Sequence, residues 1–179
     1  MALQTSIGAG TFSALTYANV VVPTTLPSSA ASWQALFATI GDFTEIKDIR
    51  EMPTFGTPAN IVKVPQFGVA QSLSIGAQSD APDLELTLNY IPSRFAIGQQ
   101  IKTDLDSKAS RIFRFSLLYA KPTNLADATT GIGTVQNSSI YFVGKMESLQ
   151  IMPSLSDSNT ATLALSIQSD FFGPYTVDA

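Results

Sequence analysis

The sequence predicts an α+β fold in which β dominates, an antiparallel meander of strands flanked by one amphipathic helix. Three observations carry this expectation. Apolar and polar residues alternate through residues 84–90, 112–119, 140–151 and 161–167, which is the period of half-buried strands. One stretch, residues 95–109, changes to helical spacing. A chain of 179 residues hides about 70% of its extended surface on folding, so a core forms without disulfides or metals. The organisation that fits is an extended N-terminal arm over residues 1–31 and one β domain over residues 32–179.

Residues 1–41 contain no Asp, Glu, Lys or Arg; the first charge is Asp42. No basic segment precedes a compact apolar core, so a signal peptide is not expected, and small residues, Thr, Pro23 and Pro27 favour an extended arm. Trp33, Leu36, Phe37 and Ile40, behind Ser32 and before Gly41, fit a short capped helix or a strand. Over residues 43–52, the spacing of Phe43, Ile46, Ile49 and Met52 suits a helix, whereas the β-branched content favours a bulged strand. Residues 53–79 are a long Pro/Gly/Thr/Gln loop with a β-like piece at 61–64, and a loop of that length is usually functional or ordered by a partner.

The clearest strand carries Leu84, Leu86, Leu88 and Tyr90 on one face and Glu85, Thr87 and Asn89 on the other. Pro92 and Ser93 lead into the helix, whose stripe of Phe95, Ile97, Ile101, Leu105 and Ala109 leaves Lys102, Asp104, Asp106 and Lys108 outside, with Asp104 and Lys108 at pairing distance in sequence. The next strand puts Phe113, Phe115, Leu117 and Tyr119 on one face, and residues 122–138 read as a Gly/Thr/Asn loop. Ile140, Phe142, Gly144 and Met146 share a face, but Leu149 and Ile151 alternate in the opposite phase, which calls for a β-bulge near Glu147 or Ser148. Residues 153–159 are turn formers, after which Ala161, Leu163, Leu165 and Ile167 alternate with Thr160, Thr162, Ala164 and Ser166.

Composition narrows function. There is no Cys and no His, which excludes disulfides, thiol nucleophiles, His bases, Ser-His-Asp triads and the usual zinc ligand sets. A net charge of −4 argues against an electrostatic grip on nucleic acid. Charged residues make up 13%, half the usual share of about 25%, so much of the surface is expected to be covered by other chains.

Motifs that bear chemistry are few. Asp80, Asp83 and Glu85 carry carboxylates suited to a hard cation, but lack an EF-hand's loop glycine and distal Glu, and read as a solvated turn. Asp104 and Asp106 point different ways from a helix. The pairs Gly8/Gly10 and Gly131/Gly133 lack the third glycine of a phosphate loop, and around Gly144-Lys145 the P-loop positions hold Ser139 and Met146. Asn137-Ser138-Ser139 matches a glycosylation acceptor, a pattern common by chance, and Trp33 reads as a packing anchor. No catalytic constellation emerges, and no cofactor is expected. The classes left are a structural subunit, a secreted or cell-surface β-sandwich binding glycan or peptide, and an enzyme working with carboxylates alone.

The order of features resembles the major tail tube proteins of long-tailed bacteriophages, which share a fold with the tube proteins of contractile tails and type VI secretion. It begins with Trp33 and the Ile40-Gly41 step, a short strand at 43–49 and the long loop. DLELTLNY (83–90) then runs through Pro92 into the helix, followed by IFRFSLLYA (112–120) and YFVGKMESLQIMPSLSDSNTATLALSIQSD (141–170). The resemblance implies a non-enzymatic subunit of a β-sandwich or barrel fold. Hexameric rings of it would join strands into one inner barrel and stack into a tube. The tube would enclose a tape-measure protein, meet tail tip, baseplate and terminator proteins, and conduct double-stranded DNA through its lumen without specific binding. It would be assembled in the bacterial cytoplasm and sit in the virion, with no membrane insertion. In such a tube the polar strand faces would line the lumen: Glu85, Thr87, Asn89, Lys145, Glu147, Gln150, Thr160, Thr162, Ser166 and Gln168. Ile97, Ile101 and Leu105 would pack the helix on the outer side of the sheet.

Overall fold

The computed structural model describes residues 13–39, 41–56, 61–64, 73–76, 83–95, 100–117 and 138–176. In chain order these form β1 (Ala14–Ala18), α1 (Ala30–Ala35), β2 (Phe43–Ile46), β3 (Ile49–Glu51), β4 (Ile61–Val64) and β5 (Leu73–Gly76). Then come β6 (Leu84–Asn89), a 3-10 turn at Pro92–Arg94, α2 (Gln100–Ser107), β7 (Ser110–Leu117), β8 (Ser138–Met152), β9 (Thr160–Ile167) and β10 (Phe172–Thr176). The antiparallel path is β2-β1-β7-β8-β9-β6-β3, with β10 joining β8 beside Ser139 and Tyr141.

The path bends into two halves. Residues Ser138–Lys145 of β8 pair with β7, whereas Gly144–Met152 pair with β9, so one long strand belongs to both. β2 and β3 stand at opposite ends of the path, yet only Lys47 and Asp48 separate them, and Asp48 turns the corner in the left-handed region at φ 63°. The two ends therefore meet, as in a sandwich whose corner strand changes sheet. Leu15, Tyr17, Phe113, Phe115 and Phe142 from one half face Leu84, Leu86, Leu88, Met146, Leu163 and Leu165 from the other in one buried cluster. Gly144 is needed where the halves press together: a Cβ there would lie 3.0 Å from the Ser166 carbonyl and 3.5 Å from the Phe113 ring. The bulge expected near Glu147 or Ser148 is present, as a register shift between Met146 and Ser148.

The arm expected over residues 1–31 is corrected in part. Ala14–Ala18 is an interior strand, hydrogen-bonded to β2 on one side and β7 on the other and buried along its length. Its apolar/polar period is short, Leu15 and Tyr17 entering the main core with Thr16 between them, inside a segment that has no charged residue to mark a solvent side. The segment around Trp33 is a helix, capped by the Ser29 side chain rather than by Ser32 and ending at Ala35, well before Gly41. Among the described residues this helix stands beside the expected amphipathic one, and it is one of the two readings the sequence left open here. Trp33 and Phe37 of this region are fully buried with Ala18, Ile112, Tyr141 and Val143, and Trp33 stacks on Tyr141 at 5.3 Å. This second cluster covers the outer face of the β1–β7–β8 half.

The helix expected over residues 95–109 is shorter as described, spanning Gln100–Ser107, and Ile97 lies outside the described residues. Ile101 and Leu105 enter the main core, as the stripe required. Asp104 is the exception to the expected polar side. It is buried, and its Oδ1 accepts from Arg111 Nη2 at 2.6 Å and from Gln100 Nε2 at 2.9 Å. The i,i+4 ion pair of the helix is Lys102–Asp106, not Asp104–Lys108.

The loop over residues 53–79 contains a hairpin. Ile61 is the predicted β-like start, and β4 pairs with β5 from Ile61↔Gly76 to Val64↔Leu73. The two strands form a two-stranded sheet of their own. The loop around 122–138 lies outside the described residues except for Ser138.

Candidate assembly face

The two halves of the sandwich differ on their outer faces. The half containing β1 and β7 is roofed by α1, and even Arg114 is buried there. Its guanidinium lies 4.4 Å over the Phe37 ring, its Nε donates to Thr16 Oγ1 at 3.1 Å, and burial pushes its pKa down to about 10, so it stays charged at neutral pH. The half built from β3, β6, β9 and the second part of β8 turns its Leu and Ile residues inward and has a polar outer face.

Strand register arranges that polar face in rows. Glu85 lies opposite Ala164, and Ala164 opposite Ser148; Thr87, Thr162 and Gln150 form the next row, and Asn89, Thr160 and Met152 the one after. Ser166 pairs with Lys145 at the other end. The bulge lets Gln150 share this face with Lys145, since without the extra residue the Leu149/Ile151 side would point outward. The sequence-derived set Glu85, Thr87, Asn89, Lys145, Gln150, Thr160, Thr162 and Ser166 is thus brought onto one surface. Gln168 sits at its margin, accepting from Ser110 Oγ at 2.6 Å beside Val21, Leu26 and Val143.

Glu147 is the extra residue of the bulge. Its carboxylate pairs with Lys145 Nζ at 3.0 Å and with Lys108 Nζ at 3.4 Å, and Lys108 also donates to its backbone carbonyl. The Lys145 hydrogen bond, ahead of Lys108, holds the Glu147 carboxyl below the usual carboxylate range. Lys145 is therefore neutralised by Glu147. Sequence reasoning overlooked Ser148, Ala164 and Glu51, which complete the rows; the phase change at the bulge was the signal that places Ser148 there. It also overlooked Lys108, whose approach to Glu147 depends on tertiary structure.

Chemistry of other kinds finds little footing. Among the described residues no group of His, Cys, Asp and Glu is placed to hold a metal ion, and Asp80 lies outside them. Asp104 is buried while Asp106 is exposed, so they are not a facing pair of acids. No helix among the described residues is long and apolar enough to cross a membrane.

No family model and no curated protein matches the chain. Among solved structures, the chain is similar to one in the baseplate of the anti-feeding prophage, determined with sixfold symmetrisation. The match has a TM-score of 0.52 and 10% identity, and covers 97% of this chain and 98% of that one. The two chains share a fold. At that identity the likeness speaks for architecture over nearly the whole length of both, and the β-dominant α+β class expected from the sequence is the class observed.

Proposed function

We propose that the chain is a non-enzymatic structural subunit of a phage-tail-like particle, and specifically a tail tube subunit. In this reading hexameric rings stack into a tube that encloses a tape-measure protein, meets baseplate and terminator proteins at its ends, and conducts DNA on ejection. The observation that carries the reading is the polar outer face of the β3–β6–β9–β8 half, uncovered among the described residues, on a fold shared with a chain of the anti-feeding prophage baseplate. A lumen wall needs such a surface. Hydroxyls and amides with a neutralised lysine offer phosphates nothing to hold, whereas a wall of unpaired Lys or Arg would bind the DNA backbone. The low overall charge fits a chain whose remaining surface is covered by copies of itself.

The same fold likeness favours a second reading, in which the subunit forms a single tube-like ring at the baseplate rather than the shaft. Electron microscopy of the purified chain separates the readings. Stacked rings of constant bore support the tube, isolated rings support the baseplate position, and a monomer at all concentrations removes both and leaves a secreted binding module.

A further inference from the structure

We infer that Lys108 is the lock of the β8 bulge. From the end of α2 its ammonium takes the place of a missing strand partner for Glu147, and so fixes which residues of β8 enter the polar face. The inference concerns how that face is set and does not depend on the assembly the chain forms.

Two observations, one at each end of the contact, carry it. The first is backbone geometry. α2 ends in a Schellman turn, with Ala109 N donating to the Asp104 carbonyl at 3.3 Å and Lys108 in the left-handed position at φ 51°. Glycine is the residue that takes this conformation without steric cost. The turn alone therefore favours Gly, and what Lys adds there is its side chain. A non-glycine residue held in such a conformation points to a role for that side chain.

The second is an unpaired place in the ladder. β9 pairs with Met146 and Ser148 and skips Glu147, and β7 begins opposite Lys145. Among the described strands Glu147 thus has no register partner on either side, the usual state of the extra residue in a bulge. Ser110 pairs with Lys145, so Lys108, two residues earlier in the chain, stands level with Glu147, two residues later on β8. Lys108 is not part of a strand, but its Nζ donates to the Glu147 carbonyl and lies 3.4 Å from the carboxylate. Lys145 reaches the same carboxylate at 3.0 Å, so what Lys108 adds is the bond to the carbonyl. The lock matters because burial holds this register weakly. Ahead of the bulge Phe142 and Met146 are fully buried, whereas beyond it Leu149 is half-buried and Ile151 is 48% exposed. A ladder without the bulge would turn Leu149 and Ile151 outward and Ser148 and Gln150 inward, at little loss of apolar burial.

Amide hydrogen exchange on the full chain, with all variants compared in one assembly state, tests the lock. Lys108→Gly relieves the backbone, so if Lys108 only caps α2, β8 should exchange as in the parent or more slowly. As a lock, its loss should speed exchange of the Leu149–Met152 and Ala161–Leu163 amides by roughly tenfold or more, the worth of a hydrogen bond from a charged donor. The α2 amides should keep their protection. Lys108→Met, which retains the stem, should loosen the same amides. Glu147→Gln retains the carbonyl and should stay within about threefold of the parent, the worth of an exposed ion pair. Unchanged exchange in Lys108→Gly or in Lys108→Met would overturn the proposal. So would Glu147→Gln matching Lys108→Gly, because the carboxylate would then be the group that matters. The chain has no cysteine, so Gln150→Cys with Thr162→Cys, opposite one another across β8 and β9, gives a second readout. Cross-strand neighbours have Cβ atoms on the order of 5 Å apart, close to disulfide reach. Their intrachain disulfide should form less readily against a glutathione buffer once Lys108→Gly is added, and equal formation would also overturn the proposal.

Discussion

The most informative single perturbation of the fold is Asp104→Ala, because it strikes the joint between α2 and β7. The carboxylate is 1% exposed and its partner Arg111 13%, with 2.6 Å between Oδ1 and Nη2. Removing the acid leaves a largely buried guanidinium whose other contacts are the Asn19 and Val20 carbonyls at 3.3 Å, and leaves Gln100 without its acceptor. Breaking one member of a buried pair costs about 3–5 kcal/mol, because the remaining charge stays desolvated. For a domain of this size that lowers the melting temperature by roughly 6–20 °C. Replacing both partners with apolar residues, Asp104→Leu with Arg111→Met, should recover most of the loss, since no buried charge is then left alone. Urea unfolding of the free subunit, followed by Trp33 fluorescence, measures all variants in one cycle. A single variant within about 0.5 kcal/mol of the parent, the range of surface substitutions, would refute the claim that this pair is buried and coupled, as would a double variant no better than the single one.

Ile101→Ala should cost about 2–5 kcal/mol by leaving a cavity under α2, and an unchanged urea midpoint would take Ile101 out of the core. Glu147 supplies a pH signature. Its folded pKa is depressed by Lys145 and then Lys108, so the clasp stabilises above the ordinary glutamate range and that contribution is lost as pH falls through the depressed value. The urea midpoint should therefore fall more steeply with acidification in the parent than in Glu147→Gln, and identical slopes would exclude the clasp. Glu85→Lys with Glu147→Lys should leave assembly nearly intact while slowing DNA ejection at low salt more than at high salt; normal ejection would remove the face from the lumen.

Local chemistry in the sequence determined the strands that are half-buried, because burial on one face writes itself as alternation: Leu84–Leu88, Phe142–Met146 and Leu163–Ile167 were legible, and so was the bulge, since one extra residue reverses the phase. The α2 stripe of Ile101 and Leu105 was legible for the same reason. The polar face followed as the complement of the apolar one. What the tertiary structure alone decided is where the sequence signal is short or where partners are distant in sequence. β1 is covered on both faces, so no charged residue marks a solvent side, and the short Leu15-Thr16-Tyr17 period sits in an uncharged run that reads as an arm. Asp104 looked like a solvated helix residue until Arg111 from the next strand was brought to it. Arg114 is held by Phe37 and Thr16 from elements far off in the chain, so nothing local marked it as buried. The closure of the sandwich, and with it a half whose outer face is polar, depends on strand order. That order is set by which apolar faces can bury each other, a property of the whole chain rather than of any segment.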